Sequence, residues 1–531
     1  MRKIVTSFTA MLFAGSLFAG GLVTNTNQSA LFTRLQNRNA STSIDAVYFN
    51  PAGLTKLGNG FFASVNNQVI NQTKTITTDY PTIANQPKDY IGKVSAPIFP
   101  GIYVAYNIGN LSVSAGFNPV GGGGGAKYST GLPSFESMVS DIPPLLSSQG
   151  IPTTAYSADI FFEGTSVYFG YQLNVAYKIN DILSVAAGVR LVSAKNTYNG
   201  YLRDISINPT YPAFGANGSM VKAATFFTTG ATTLNTLSAG ATQYVAGLQP
   251  VINGGGGSVL LSNGASVGLS AAQIGQIQQL LGAAGMTPAQ IGATNIATAQ
   301  ATLGVAAPQF AAKATLMSGY AAATQDIEVD AEETGTGYTP IISVNLSPAE
   351  NINVSVRYEF QTKLDLTTKL NDNKGGGIFF AGDKVIADMP ALLALGAEYK
   401  AMDKLHLAAT FNTYFDKNVD YDGSEDLDIN TIDRNFYEYG LGAEYGINDK
   451  LRLSAGWVAT STGVNENYQS DMTYSTNTNS FGAGVGYRIN NMIDFNLGGQ
   501  YTFYQEGTAP YLKLNKKTWL IGAGLDFYFN K

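Results

Sequence analysis

The chain has 531 residues, of which 13% are charged, 11% are aromatic and 59 are glycine. Abundant aromatic and aliphatic residues exclude a disordered chain, and the absence of cysteine excludes thiolate metal sites, thiol catalysis and disulfides. A net charge of −6 disfavours a nucleic-acid partner. Beyond the N-terminus the sequence contains no run of about 18 apolar residues, which is the length that a membrane-spanning helix requires.

The first residues are typical of a secretory signal peptide. Arg2 and Lys3 give a positive start, residues 4–18 are mostly apolar, and Ala19 begins a run of small residues. The apolar stretch is too short to span a bilayer, so we expect a signal peptide at 1–19 that is cleaved after Ala19. Residues 20–59 follow, and they mix short apolar pieces with Asn, Ser and Thr too irregularly for strands of a barrel wall.

From residue 60 onward, apolar and polar residues alternate with a period of two. In residues 352–361, Ile352, Val354, Val356, Tyr358 and Phe360 alternate with polar or charged residues. Residues 183–191 show the same pattern with Leu and Val. Because successive side chains of a strand point to opposite faces, each such segment predicts a strand with one apolar face.

The glycine-rich faces of the strands and the lengths of their connections favour a membrane barrel over a β-sandwich. Short polar turns, as at 180–181 and 448–449, alternate with long polar loops such as 417–434 and 461–478. Short turns at one rim and long loops at the other are typical of outer-membrane barrels. One face of several strands is also rich in glycine, at Gly440, Gly442, Gly482, Gly484, Gly486, Gly522 and Gly524. We therefore predict an all-β, 14-stranded antiparallel transmembrane β-barrel over 60–531, with strands at 60–75, 100–109, 111–119, 160–180, 182–204, 326–347, 352–370, 385–400, 405–418, 435–447, 451–463, 477–490, 493–506 and 515–530.

A long insert at 208–322, rich in Ala, Gly, Thr and Gln, interrupts the strands. Ser270 is a good N-cap for a helix over 270–285, and Thr287 followed by Pro288 can open a second helix. A third helix is expected at 311–323. We predict a partly helical extracellular insert; the alternative is a solvated loop.

Residues 46–54, Ala-Val-Tyr-Phe-Asn-Pro-Ala-Gly-Leu, resemble the FadL/TodX family of outer-membrane transporters. The Asn-Pro-Ala-Gly-Leu element stands between an N-terminal segment and the first strand, as in that family. Residues 96–100, just before the expected second strand, and residues 389–391 also look similar to the family. The resemblance extends over essentially the whole mature chain.

The resemblance implies a mechanism. Residues 20–59 would be a hatch that plugs the lumen, with Asn50, Pro51 and Ala52 as its latch. An apolar ligand would be caught outside, enter a pocket in the barrel, and leave sideways into the membrane beside a kinked third strand. The residues that point to a kink are Gly116, Asn118 and Pro119, because proline cannot donate to a strand ladder; an ordinary loop after a short strand is the alternative. We expect Asn50 to bind the backbone of that kink, and the alternative is that Asn50 and Pro51 merely turn the chain into the wall.

Charged residues on the expected lumen face have two interpretations. Arg190 and Arg357 are possible partners for a fatty-acid carboxylate, but charges of both signs in a polar lumen are expected more often to pair with each other. Those charges are Arg190, Arg357, Glu359, Glu398, Glu438, Glu444, Arg452 and Arg488. The lone His406 is expected to be structural, and the acidic residues between 416 and 428 to be a solvated loop.

No catalytic constellation is visible, so we expect no enzyme, no cofactor and no metal. The expected function is outer-membrane transport of long-chain fatty acids or other hydrophobic compounds by a protein that is expected to be a monomer in the outer membrane. The alternatives are a diffusive porin for small polar solutes and a surface-binding barrel.

Overall fold

The computed structural model describes residues 29–419 and 431–530. The expected signal peptide at 1–19 and the acidic residues from 420 to 428 lie outside these ranges. No helix within them is long and apolar enough to cross a membrane.

The described chain forms a closed antiparallel barrel of 14 strands, as the alternation predicts. The strands are β1 (Gly60–Thr78), β2 (Lys88–Ile108), β3 (Leu111–Tyr128), β4 (Tyr156–Lys178), β5 (Leu183–Ile207), β6 (Ile327–Ala349), β7 in two parts (Ile352–Glu359 and Asp365–Gly375), β8 (Leu392–Met402), β9 (Leu405–Tyr414), β10 (Phe436–Gly446), β11 (Leu451–Ser461), β12 (Thr478–Asn490), β13 (Ile493–Tyr504) and β14 (Leu512–Asn530).

Pairing between the first and last strands closes the barrel. β1 and β14 are in unbroken register from Phe61 opposite Phe529 to Thr78 opposite Leu512. Closure of the sheet leaves no edge strand with unpaired backbone groups. A β-structure in lipid requires this, because no water is present there to bind such groups.

The barrel is apolar outside and polar inside. In β7, Ser355, Arg357 and Glu359 are at most 5% exposed, whereas Val356 is 37% and the adjacent Phe360 is 43% exposed. The same alternation recurs around the wall, so the large exposed side chains are mostly Leu, Ile, Val, Phe and Tyr. This inversion of the usual globular arrangement is expected for a barrel whose outer face contacts lipid.

The second strand begins earlier than the sequence predicts. β2 starts at Lys88 rather than at 100, so the Ala96 to Pro100 stretch lies inside the strand and not before it. This part of the strand contains Pro97 and Pro100, which have no backbone N–H to donate to a neighbouring strand. β7 is interrupted at 360–364, where Thr362 forms an isolated bridge with Met389.

Residues 138–159 and 202–326 form a compact unit of their own. Its helices include α4 (Ile142–Ser148), α5 (Ala223–Asn253), α6 (Ala271–Ala283), α7 (Pro288–Gly292) and α8 (Ile296–Ala323); α3 (Pro133–Ser140) precedes α4 in the chain. Ser270 and Thr287 each cap their helix with a complete capping box, as predicted. Ile277, Leu280 and Leu281 of α6 are buried against α5 and α8 in one apolar core.

The segment before β1 is helical and buried. It contains α1 (Ala30–Leu35), α2 (Ala46–Phe49) and a 3-10 turn at Pro51–Leu57. We call residues 29–59 the hatch. Every residue from 29 to 41 is buried, although this stretch contains Arg34, Arg38 and several amides. The hatch therefore fills the interior of the barrel rather than contributing to its wall.

Candidate functional site: the plugged lumen

Glycine residues of the wall provide the surface on which the hatch rests. A Cβ atom added at Gly456 would lie 2.2 Å from the carbonyl oxygen of Leu35, and one added at Gly498 would lie 2.6 Å from the backbone nitrogen of Arg34. Real Cβ atoms essentially never approach so closely. The same close approach to the hatch occurs at Gly396, Gly440, Gly442, Gly482 and Gly522. The glycine-rich faces seen in the sequence are thus a seat for the hatch, which we call the glycine seat.

Ion pairs hold the hatch within this seat. Arg34 binds Glu444 and Ser454 of the wall. Arg38 makes two hydrogen bonds to Asp45, at 2.8 and 3.0 Å, and lies 3.5 Å from Glu398. A buried guanidinium is tolerated only when a carboxylate and further hydrogen bonds compensate its lost hydration. These pairs therefore link the conformation of the hatch to its position against β8 and β10.

Asn50 binds a strand other than the one expected. Its Nδ2 donates to Asn345 Oδ1 at 2.7 Å and to the carbonyl of Ser41 at 3.0 Å, while Ser343 Oγ donates to Asn50 Oδ1 at 3.2 Å. Asn345 and Ser343 belong to β6, so the expectation that Asn50 binds the third strand was wrong. Pro51 opens the 3-10 turn, and the Ala52 backbone nitrogen lies 3.4 Å from Ser343 Oγ. The element Asn50-Pro51-Ala52 thus joins the hatch to β6.

Val47, not Asn50, lies against the third strand. A Cβ atom added at Gly116 would lie 3.0 Å from Val47 Cγ1. The carbonyl of Val47 accepts hydrogen bonds from Gln172 at 2.9 Å and Asn174 at 3.1 Å, both on β4. Reasoning from the sequence missed this contact because an apolar residue beside a glycine carries no polar signal.

The two arginines considered for a ligand carboxylate are already occupied. Arg190 forms two hydrogen bonds to Glu359, at 2.7 and 2.8 Å, and two more to Gln172 Oε1. Arg357 binds the Tyr48 carbonyl and lies 3.2 Å from the same Glu359. Both guanidiniums stack over the Tyr48 ring, at 4.8 and 4.9 Å from its centroid. Arg190 and Arg357 therefore pair with a carboxylate of the protein, which is the second of the two interpretations given for the lumen charges.

The third strand is irregular from Pro119 onward, whereas Gly116 and Asn118, which were expected to share in the kink, pair regularly with β4. β3 continues to Tyr128, but its register with β4 shifts between Pro119 and Gly121 and again between Gly121 and Gly124. Five steps along β3, from Pro119 to Gly124, match only three along β4, so β3 carries two extra residues here. Gly122 has a φ of 92° and a Cβ there would lie 2.3 Å from the Ser166 carbonyl, so this position needs glycine.

The bulged part of β3 separates from β2. The register of the two strands runs from Ile108 opposite Leu111 to Ile102 opposite Phe117, and resumes only at Lys93 opposite Lys127. Within the described chain, residues 94–101 and 118–126 thus form no residue-to-residue pairs with each other. The stretch of β2 involved includes Pro97 and Pro100. The geometry is that of a gap in the wall, which we call the β2–β3 gap.

An apolar cluster lies inside the barrel beside this gap. Val47, Tyr48 and Phe49 of the hatch pack with Val120 of the bulge, and Val120 is only 2% exposed. The cluster also contains Phe32, Ile44, Ala46 and Leu54 of the hatch and, from the rest of the barrel, Phe62, Tyr103, Ala105, Tyr168, Val192, Ala194, Leu364, Leu366 and Met389. A polar interior is usual for such barrels, so a continuous apolar lining next to a gap is a distinctive feature. We call it the lumen cluster.

The other charged residues singled out in the sequence bind neighbouring protein groups or lie at the surface. Arg452 and Arg488 both bind Asp494, at 2.7 and 3.2 Å, and Glu438 accepts from Asn412 at 2.7 Å. His406 is exposed at the start of β9, after the turn that joins β8 to β9. Asp416 accepts a hydrogen bond from the Phe436 backbone nitrogen at 2.8 Å, and burial raises the pKa of its carboxyl to about 6.

A small polar cavity of 20 Å³ lies between the hatch and the inner faces of β7, β9, β10 and β11. Arg38, Arg357, Asn412 and Glu438 are among the residues that line it. A volume of this size has room for about one water molecule.

The closed wall and the seated N-terminal segment define a plugged β-barrel. No protein-family model and no curated protein matches the chain. Solved structures do: a FadL homologue from Pseudomonas aeruginosa has a TM-score of 0.56 at 13% identity, covering 96% of this chain and 100% of that one. The toluene transporter TodX from Pseudomonas putida has a TM-score of 0.50 at 12% identity, again over 96% and 100%. These matches confirm the fold that the resemblance predicted: a FadL/TodX-like barrel with a plug.

Proposed function

We propose that the protein is an outer-membrane transporter of hydrophobic compounds, long-chain fatty acids or other apolar molecules, which it releases sideways through its wall. The observation that carries the proposal is the position of the lumen cluster, which joins the hatch to the β2–β3 gap. The apolar outer face supports placement in a membrane, and the toluene transporter among the similar folds supports an apolar cargo.

The lumen cluster suits an apolar cargo on energetic grounds. Transfer of a chain from an apolar pocket into water costs about 0.8 kcal/mol for each CH₂ group. A route that continues from the lumen cluster through the gap into lipid avoids this cost, whereas release along the barrel axis into an aqueous compartment does not. Lateral release is therefore the favoured exit for such a molecule.

Hatch movement would open the way to the gap. Val47, Tyr48 and Phe49 now occupy the space beside Val120, so a ligand can replace them only if α2 shifts. The latch at Asn50 and the pairs of Arg38 connect α2 to β6 and β8. We infer that ligand binding competes with these contacts and displaces α2 from the gap.

The proposal is tested by closing the gap. Deletion of Val120 and Gly122 removes the two residues that β3 has in excess of β4, so β3 should pair with β4 without a register shift and lose the bulge that separates it from β2. We expect uptake of radiolabelled oleate or toluene by cells carrying this variant to fall to the level of cells without the protein. Heat-modifiable migration in gels should persist, which shows that the barrel still assembles.

The matched control is Val120→Ala, which keeps the register shifts but removes the side chain. It should retain most of the uptake. If the deletion variant assembles and still takes up the apolar compound at the wild-type rate, lateral release is wrong. If wild-type cells take up sugars but no apolar compound, the protein is a porin and the transport proposal is wrong as well.

A further inference from the structure

A row of lysines crosses the outer face of four adjacent strands. Thr73 of β1 is opposite Lys517 of β14 on one side and opposite Lys93 of β2 on the other. Lys93 is in turn opposite Lys127 of β3. All four side chains are exposed, and each residue lies near the end of its strand that leads into the longer connections. We call these four residues the lysine row.

The lysine row borders the apolar belt of the outer face. Towards the short turns, the outward residues that follow the row include Trp519 and Ile521 of β14 and Val69 of β1, each at least 36% exposed. Towards the longer connections, β14 presents Asn515 and Lys513. Charged side chains are costly in the hydrocarbon region of a membrane and are tolerated near its interfaces. In a membrane the row would therefore lie at the level of the lipid head groups.

None of the three lysines forms an ion pair with any residue that the structure describes. Elsewhere on the outer face an exposed lysine is neutralised, since Lys195 of β5 binds Glu332 of β6 at 2.6 Å. The lysine row differs because it gathers positive charges on neighbouring strands without a counter-ion from the described chain.

Two acidic residues lie beside the row without forming an ion pair with it. Glu163 of β4 is opposite Lys127 in the strand register, but the Lys127 ammonium lies 5.4 Å from the centre of the Phe161 ring. Glu506 accepts a hydrogen bond of 3.0 Å from Asn515. A cation–π contact orients an ammonium group without neutralising its charge. The row is therefore open to an external anion.

Lys93 and Lys127 bring two positive charges together at one end of the β2–β3 gap. They are the residue pair at which the register of the two strands resumes. Directly opposite residues of an antiparallel pair have Cβ atoms about 5 Å apart, and like charges at such positions destabilise the pairing. An anion between the two ammonium groups would remove the repulsion and hold β2 and β3 together at this end of the gap.

We propose that the lysine row binds a glycolipid of the outer leaflet through two phosphate groups of its head group. One phosphate lies between Lys93 and Lys127, and the second lies at Lys517, where the Thr73 hydroxyl can donate a further hydrogen bond. Four adjacent strands span about 14 Å, because neighbouring strands are about 4.8 Å apart, and this width suits two phosphates better than one. The inference rests on the placement of the protein in an outer membrane, and it does not depend on which apolar compound is carried.

The position of the row favours a lipid over a soluble anion. Trp519 and Ile521 continue the outer face of β14 from Lys517 into the apolar belt. The acyl chains of a lipid whose phosphates bind the row would lie against this surface, whereas a soluble phosphate ion makes only the charged contacts. The lipid is therefore the occupant that uses both parts of the surface.

The test compares two lipids that differ only in their phosphates. The full-length protein in an uncharged detergent is titrated with diphosphoryl lipid A and with the same lipid lacking both phosphates, and binding is followed by native mass spectrometry. We expect the wild type to bind the diphosphoryl lipid at least tenfold more tightly. Lys93→Gln/Lys127→Gln should lose most of this preference, and Lys517→Gln alone should reduce it severalfold.

The matched control is Lys404→Gln/Lys450→Gln, which removes two exposed lysines from short turns at the opposite rim. It makes the same change in net charge and should bind both lipids as the wild type does. All variants should keep heat-modifiable migration in gels, because the substituted side chains are exposed.

The outcomes separate the lysine row from the transport proposal. If the wild type binds the two lipids equally, or if Lys93→Gln/Lys127→Gln keeps the full preference, the lipid site is wrong, while transport is still judged by the uptake of apolar compounds. Displacement of diphosphoryl lipid A by an equal concentration of inorganic phosphate would show a site for free anions and overturn the proposal. Binding of phosphatidylglycerol as tight as that of diphosphoryl lipid A would overturn the assignment to a head group with two phosphates.

Discussion

Substitution of a single glycine in the seat should release the hatch. In Gly498→Ala the new Cβ atom would lie 2.6 Å from the Arg34 nitrogen, 2.7 Å from its Cα and 2.8 Å from the Thr33 carbonyl carbon, all of them hatch backbone. Overpacking of this kind costs about 1–3 kcal/mol. At about 2 kcal/mol, the ratio of displaced to seated hatch rises about 30-fold, since every 1.4 kcal/mol is a factor of ten.

The displaced hatch is detected by trypsin and by conductance. Arg34 and Arg38 are at most 5% exposed when the hatch is seated, so cleavage after them reports the displaced state. We expect Gly498→Ala in lipid bilayers to be cleaved there many times faster than wild type and to pass small ions more often. Gly499→Ala is the matched control, because a Cβ at this adjacent glycine meets nothing closer than Leu520 O at 3.8 Å. Equal cleavage rates in Gly498→Ala, Gly499→Ala and the wild type would refute the account of the glycine seat.

Three further predictions concern the latch, the lumen charges and the fold. Asn50→Ala removes the hydrogen bonds to Asn345 and Ser343, and we expect it to change uptake of an apolar compound severalfold per assembled molecule; unchanged uptake would show that Asn50 only shapes the turn. Glu359→Gln leaves two buried guanidiniums without their carboxylate, which should lower the free energy of unfolding in lipid by about 3–5 kcal/mol; a change below about 1 kcal/mol would contradict the pairing. Circular dichroism in detergent should show a dominant β signal with a minor helical part from α5, α6 and α8, and a mainly helical spectrum would contradict the fold.

Most of the wall could be predicted from the sequence because alternation is a local property of each strand. The pattern of Ile352, Val354 and Val356 is enough to place a strand and its outer face. The start of β2 lies twelve residues before the predicted one, and Pro97 and Pro100, which have no N–H to donate, lie in the part of β2 that has no pairs with β3. The helix α5 was not predicted, since its many threonines and glycines are poor helix formers and its stability comes from packing against α6 and α8.

The lumen could be predicted only in part, because its contacts join residues far apart in the chain. The sequence marked Asn50 as a latch but could not tell which strand it binds, and Asn345 lies 295 residues away. The glycines of β10 to β14 were visible as a pattern whose purpose was hidden until the hatch backbone was placed against them. Arg190 and Arg357 were candidate ligand partners, but the sequence could not show that both pair with Glu359, which lies on β7, two strands from Arg190 on β5.

The central claim, that a sealed barrel carries apolar compounds, is tested most directly by measuring two permeabilities in the same cells. Cells that lack their own hydrophobic-compound transporter are made to express this protein, and uptake of radiolabelled oleate and of radiolabelled maltose is followed in parallel. The seated hatch and the lumen cluster predict that oleate uptake rises severalfold above that of cells without the protein while maltose uptake does not change. A rise in maltose uptake with no rise in oleate uptake would contradict the account.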